Sequence, residues 1–314
     1  MSEIPELPVH HQGVWVSVDE LRSLRGRAGG LGVSPGEAVA SLFPGAFRSV
    51  FLGRGLDFHE VRAYQPGDDF RTLDWRVTAR SGTLHTKVFR EERERSLYLL
   101  ADAGPSMHFG TRNAFKWVAA ARLAALAGWL AVEAGDRVGG LVFGAGPGCP
   151  MRLPAAGEAG ALGLFGLLAE VRRRVETPAC GLPGALARLR RLARPGSLVL
   201  ILSDFSGLDG EAPRLLSRLG RHHFLAGVLV FDPLEAQPPP PGLYPVGDGR
   251  TVRLMDTSDR RLAKGLESRF SARRQMAAKV FRGLGARFFT LGTDRDPAEV
   301  LRAALTPERG AREG

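Results

Sequence analysis

Lysine is nearly missing from this sequence. It occurs only at Lys87, Lys116, Lys264 and Lys279, although the chain has 43 lysines and arginines together. Arginine therefore carries almost all of the positive charge. This skew fits a GC-rich coding sequence, and the arginines are spread along most of the chain. The formal charge of +10 then reads first as a basic solvated surface. Its other reading is a docking face for an acidic partner or an anionic membrane. Cysteine is scarcer still, with only Cys149 and Cys180, no CxxC spacing and no accompanying histidine pair. That speaks against a zinc site and against a secreted disulfide framework, and leaves a single bridge open. A reducing compartment is the simplest setting. No basic start is followed by an apolar run, so no signal peptide is visible. The most apolar window, residues 117–132, is shorter than the ~20 residues a membrane span needs, and Arg122 sits in its middle. A buried helix is the expectation, with a cytoplasmic location and no transmembrane segment.

Catalytic and nucleotide signatures are missing too. There is no HExxH, GxSxG or HxH spacing and no GxxxxGK[ST], so the chain is expected to be no enzyme and not to hydrolyse ATP itself. His59, Glu60, Asp68, Asp69 and His85 could be arranged as a metal-dependent hydrolase cluster, but a lone histidine such as His85 is more often structural. No zinc finger, helix-turn-helix or aromatic stacking platform appears, so no nucleic-acid partner is expected. The clusters Arg172, Arg173, Arg174 and Arg188, Arg190, Arg191 read as solvated helix faces. A basic nucleic-acid-binding or regulatory protein remains the alternative.

What is present is an ordinary globular composition, 44% hydrophobic and 24% charged over 314 residues, enough for a sizeable core. Residues 14–28 read as a short helix and "RAGGLGVSPGEA" as a loop. "FRSVF", "FHEVRAY" and "TLHTKVFREE" read as short strands, and "QPGDDF" as a turn into a helix capped by Asp68 or Asp69. From residue 96 the pattern changes to near-continuous apolar strands alternating with helices: "SLYLLAD", a long helix, "RVGGLVF", "CPMRLP", two helices, "SLVLILSD", a helix, "HFLAGVLVF", and later "ARFFTLG" and a last helix. Such strands are buried on both faces of a parallel sheet. The expected fold is doubly wound, mainly parallel α/β. The link between "RVGGLVF" and "CPMRLP" is too short for a helical crossover, so that pair is an antiparallel edge hairpin. The expected domains are an N-terminal extension, 1–95, the α/β domain, 96–305, with a Pro-rich hairpin insertion at 235–256, and a disordered tail, 306–314.

In open α/β sheets, ligands sit beyond the C-terminal strand ends. The first of these strands ends in "ADAGPSMHFG", which places Asp102 and Ser106 at its tip, and "SLVLILSD" ends at Asp204. This arrangement and the element order resemble the von Willebrand factor A fold. There a DxSxS loop, a threonine and a further aspartate bind Mg²⁺, whose hard-oxygen octahedron a partner's carboxylate completes. Carried over, the resemblance implies Asp102, Ser106, Asp204 and Thr177 as metal ligands. The match is degenerate: Gly104 replaces the middle serine, and spacing puts the threonine position at Cys180, three residues after Thr177. The competing reading is that Asp102 and Ser106 merely cap the following turn.

The block "GRGLDFHEVRAYQPGDDFRTLDWRVTARSGTLHTKVFREERE", together with "FGTRNAFKWVAAARLAALAGWLAVEAGDRVGGLVFG", "RPGSLVLILSDFSGLD" and "FDPLEAQPPPPG", resembles the bacterial family catalogued as domain of unknown function fifty-eight. The resemblance implies a protein that accompanies a MoxR-type AAA+ ATPase as a non-catalytic adaptor, recruiting a client for remodelling or activation. Within the block, Arg62, Asp57 and Glu60 near Asp68, Asp69, Arg71 and Asp74 suggest an ion-pair network that locks a turn. Trp75 is positioned to stack on Arg76 or Arg80. Such a network holds the segment in place or presents a rigid charged face to the ATPase.

Overall fold

The structure is a computed structural model, and it describes residues 13–44, 57–65, 68–90, 94–171, 180–247 and 252–306. Two compact units divide the chain, residues 47–94 on the one hand and residues 1–46 with 95–314 on the other.

The larger unit is built on a six-stranded sheet. In chain order its strands are β3 (Ser96–Asp102), β4 (Arg137–Phe143), β5 (Met151–Ala155), β6 (Leu198–Ser203), β7 (Phe224–Phe231) and β10 (Arg287–Gly292). They lie side by side as β10-β7-β6-β3-β4-β5. Every neighbouring pair is parallel except β4 and β5, the expected edge hairpin. The strands are apolar throughout because both faces are covered. Along β3, Leu97, Leu99 and Ala101 enter one core while Tyr98 and Leu100 enter the other. The period-two alternation of a strand thus feeds two cores at once. One core receives α5 (Lys116–Glu133), α6 (Gly157–Ala169) and α11 (Pro297–Leu305). The other receives α7 (Leu182–Leu192), α8 (Ala212–Gly220) and α10 (Arg260–Gly283).

Helix α5 is buried all round, which explains why its sequence shows no polar stripe. Its outer side is covered by N-terminal helices α1 (Val18–Ser23), α2 (Arg25–Gly29) and α3 (Pro35–Leu42). The indole of Trp129 donates to the Leu21 carbonyl at 3.1 Å, and Arg122 pairs with Glu20 at 2.6 Å. The Arg25 guanidinium lies 5.0 Å from the Trp129 ring centroid. The N-terminal helices therefore belong with the sheet, and the expected single extension over 1–95 is divided: only the charged block is a unit of its own. The helix α3 was expected to be part of a loop. Ser34 and Glu37 form a capping box there, and Pro35 opens the helix, so the glycine and proline sit at a helix start rather than in a coil. Among the described residues no helix is long and apolar enough to cross a membrane.

The smaller unit pairs β1 (Asp57–Ala63) antiparallel with β2 (His85–Arg90), joined through α4 (Trp75–Ser81). In the larger unit, β8 (Leu243–Gly247) and β9 (Val252–Asp256) form the expected hairpin after the short helix α9 (Pro233–Ala236). The strand expected at "FRSVF" and the disordered tail lie outside the described residues.

Close approach of backbones sets one sharp constraint. A Cβ at Gly140 in β4 would stand 2.2 Å from the Leu99 carbonyl oxygen and 2.9 Å from a Leu164 methyl group. Gly140→Ala must then push β4 away from β3 or from α6. A loss of about 3 kcal/mol is expected, read as a shift in the urea midpoint; an unchanged midpoint would show that β4 has slack there.

Candidate functional site

Three strands of the sheet end on a carboxylate at the same rim. Asp102 closes β3, Asp204 follows β6 and Asp232 follows β7, and all three are buried. Because β3 and β6 are parallel neighbours with Ala101 opposite Leu202, Asp102 and Asp204 are brought together. The sequence-based pairing of these two tips is thus what the sheet order produces.

Each carboxylate is held by groups of the chain itself. Asp102 accepts the Gly104 amide at 2.9 Å and the Ser203 hydroxyl at 2.6 Å. Asp204 accepts the Ser206 amide at 2.9 Å and the Ser106 hydroxyl. Phe205, between them, adopts a left-handed φ of 55°, the turn that brings Ser206 back onto Asp204. The strongest partner is Lys116, the first residue of α5. Its Nζ donates to Asp204 at 2.9 Å and to Glu235 of α9 at 3.0 Å, and the side chain is 1% exposed. Arg273 of α10 donates to Glu235 at 3.0 Å and stands 3.8 Å from Asp204. Asp232 accepts from the Thr111 amide and hydroxyl at 2.9 and 2.8 Å and from the Thr293 hydroxyl at 2.7 Å. The rim is a closed net of charge-assisted hydrogen bonds.

The two central carboxyls titrate in opposite directions. Burial raises Asp102, the neighbouring Asp204 charge raises it further, and the Ser203, Gly104 and Lys116 contacts do not offset this, so it stands at about 6. Burial pushes Asp204 up as well, but the Lys116 ammonium outweighs it and holds Asp204 at about 2.

These contacts bear on the Mg²⁺ site expected at Asp102, Ser106, Asp204 and Thr177. Thr177 lies outside the described residues. Asp102 and Ser106 do converge on Asp204, but the Lys116 ammonium already occupies an oxygen of Asp204, with a guanidinium beside it. A dication would face two positive charges, and Asp102 is already held by the Ser203 hydroxyl and the Gly104 amide. This donor set does not suit Mg²⁺. Among the described residues no group of three His, Cys, Asp or Glu side chains could hold a metal. At the position spacing gave to the threonine, Cys180 is bonded to Cys149. Lys116, Asp232, Glu235 and Arg273 were absent from the sequence-based site. The available signal was Lys116, one of the few lysines, at the head of an otherwise apolar helix.

In the charged block, Arg62 pairs with Asp68 at 2.8 Å as expected, while the side chains of Asp57 and Glu60 lie outside the described ones. Asp69 and Asp74 act as caps, accepting the Arg71 amide at 3.0 Å and the Arg76 and Val77 amides at 3.0 and 3.2 Å. Trp75 was expected to stack on Arg76 or Arg80. It is 67% exposed, and among the described residues no guanidinium covers it. Phe70, 65% exposed, lies with its ring centroid 5.2 Å from that of Tyr64. Starting α4 at Trp75 directs the indole outward.

The family described as "Protein of unknown function DUF58" matches residues 60–276. Uncharacterized proteins of Mycobacterium bovis and Mycobacterium tuberculosis are 33% identical over 268 residues, covering 83% of this chain and 83% of theirs. The uncharacterized protein YeaD of Bacillus subtilis is 52% identical over 42 residues, 13% of this chain and 11% of its own. Among solved structures, an aerotolerance-related membrane protein from Bacteroides fragilis aligns at a TM-score of 0.43 and 12% identity, covering 67% of this chain and 96% of its own, a likeness that carries no argument.

The Asp102 pKa has a consequence for stability. The native state keeps this proton up to about pH 6, whereas an ordinary aspartate releases it at 3.8. Native stability contributed by this group therefore falls as pH rises between those values, a cost of about 3 kcal/mol at neutral pH. Asp102→Asn is expected to flatten that slope and to be more stable than the parent at pH 7. Urea titrations at acidic and neutral pH check this, and parallel slopes for both proteins would refute it.

Proposed function

This chain belongs to the DUF58 family, whose function is unassigned, and on that footing we propose that it is a non-catalytic protein-interaction adaptor with a von Willebrand factor A-like body. Its partner is a MoxR-type AAA+ ATPase, which remodels or activates a client that the adaptor presents. The ATPase assignment rests on the resemblance carried by the charged block and the strand-tip sequences. The observation that carries a docking role is the exposed aromatics of that block: Phe70 and Trp75 each stand exposed next in sequence to an exposed arginine, Arg71 and Arg76. Tryptophan and arginine supply most of the energy at protein interfaces, and large aromatics left in water favour burial by a partner. Capping by Asp69 and Asp74 holds these segments rigid, which lowers the entropic cost of docking.

The rim supports the same reading. Its carboxylates are engaged by the chain's own donors, which leaves those described acids unsuited to activating water. Docking proceeds without Mg²⁺, because Lys116 already supplies the cation next to Asp204.

Binding of the full chain to a MoxR-type ATPase from the same genome, measured with ATP present, tests the proposal. Trp75→Ala is expected to weaken binding about 30-fold, the effect of losing an interface anchor of roughly 2 kcal/mol. Chelator is expected to leave affinity unchanged. Binding abolished by chelator would restore the metal-bridged reading. Equal affinity for the parent and Trp75→Ala would remove the exposed indole from the interface. Tight, steeply salt-dependent binding to DNA without ATPase binding would replace the adaptor role altogether.

A further inference from the structure

The chain's two cysteines are joined to each other, with Cα atoms 5.8 Å apart. Cys149 sits in the connection between β4 and β5, and Cys180 lies just before α7. The bridge adjoins the carboxylate rim through a continuous set of contacts. The Cys180 amide donates to the Gly146 carbonyl at 2.6 Å, and the Gly144 amide donates to the Cys180 carbonyl at 2.8 Å. Gly144, at φ +86°, backs directly onto the first strand tip: a Cβ there would meet the Gly104 nitrogen at 2.5 Å and Asp102 Oδ1 at 2.9 Å. Whatever holds Cys180 against the β4–β5 connection also holds that connection against Asp102.

The two ends of the bridge are unequal in access. Cys149 is 4% exposed, packed in the second core, while Cys180 is half-buried at the loop. A thiolate attacks the disulfide sulfur it can reach. We propose that the Cys149–Cys180 bridge is a thiol–disulfide exchange site, attacked at Cys180 by a dithiol reductant, and that its redox state sets how firmly the rim connection is held. In the first step the incoming thiolate bonds to Cys180 Sγ, the S–S bond breaks, and its electron pair leaves on Cys149 Sγ, which takes up a proton. In the second, the reductant's other thiolate attacks its own sulfur in the mixed disulfide and expels Cys180 as a thiolate. The reductant ends as a cyclic disulfide and the chain as two thiols. In the reduced form the covalent tie is gone, and Cys180 is left to its two backbone hydrogen bonds and its packing against the second core. This site stands on the bridge alone and holds whether or not the protein serves as an adaptor.

Two measurements on the intact chain test it. Brief exposure of the native protein to glutathione, acid quench and peptide mass mapping is expected to place the mixed disulfide on Cys180. Its appearance on Cys149, or a bridge that opens in excess dithiothreitol only when denaturant is added, would overturn the proposal. After full reduction and alkylation, the amides of Gly144 and Cys180 are expected to exchange hydrogen about tenfold faster while those of β6 keep their protection. Unchanged exchange would overturn the link to the rim. Cys149→Ser and Cys180→Ser add a third reading, in which the lone Cys180 thiol reacts quickly with an aromatic disulfide and the lone Cys149 thiol slowly. The mapping on the parent protein needs no substitution, so a variant that fails to fold does not remove the test.

Discussion

A single buried ammonium organises the C-terminal rim of the sheet. Lys116 begins α5, reaches the carboxylate that follows β6, and also holds Glu235 of α9, to which Arg273 ties the long helix α10. Four elements from distant parts of the chain meet on that charge cluster. Taking a lysine out of water is costly, and paired carboxylates roughly offset the cost rather than exceed it. The cluster therefore acts chiefly on geometry, tying the start of α5, the end of β6, α9 and α10 to one another. The same ammonium lowers Asp204 while Asp102, next to it, is left to burial and to the negative charge of its neighbour. Two aspartates at one rim thus differ in pKa, about 6 against about 2, because Lys116 hydrogen-bonds Asp204 directly and reaches Asp102 only as a more distant charge.

The second constraint is the near-complete burial of α5. A helix apolar on every side needs cover on every side, and the sheet supplies only one. The N-terminal helices supply another, anchored by the Trp129 indole on Leu21 and by the Glu20–Arg122 pair. This makes Arg122, a charge inside the most apolar window of the chain, an anchor for the covering helices. The charged block is of another kind. Among its described residues Asp69 and Asp74 cap short helices, Arg62 pairs with Asp68, and Phe70 and Trp75 are turned to solvent.

Much of the fold was legible in the residues. The near-continuous apolar strands announced a sheet buried on both faces, and the short "GAGPG" link announced the antiparallel edge, because both follow from local chain geometry. Helix α3 was legible too, since Ser34 and Glu37 form a capping box, but Gly and Pro were given the weight of loop formers. The site was legible in part. Strand tips can be read from sequence, so Asp102, Ser106 and Asp204 were found. What lies between them cannot, since Lys116, Glu235 and Arg273 come from three other elements. The stacking expected for Trp75 was not legible either: at the start of α4, just after the Asp74 cap, the ring is left exposed to solvent.

The sequence by itself determined the kind of protein: a doubly wound α/β body, an antiparallel edge and carboxylates at two strand ends, because periodicity, turn length and strand polarity are local properties. The tertiary structure alone decided the chemistry of that rim. Whether two aspartates face a metal, water or a lysine depends on side chains far away in sequence, and so does the pairing of the two cysteines beside them. Such contacts arise only when the sheet order and the burial of α5 bring those positions within a few ångströms, where charge and desolvation determine protonation and partner.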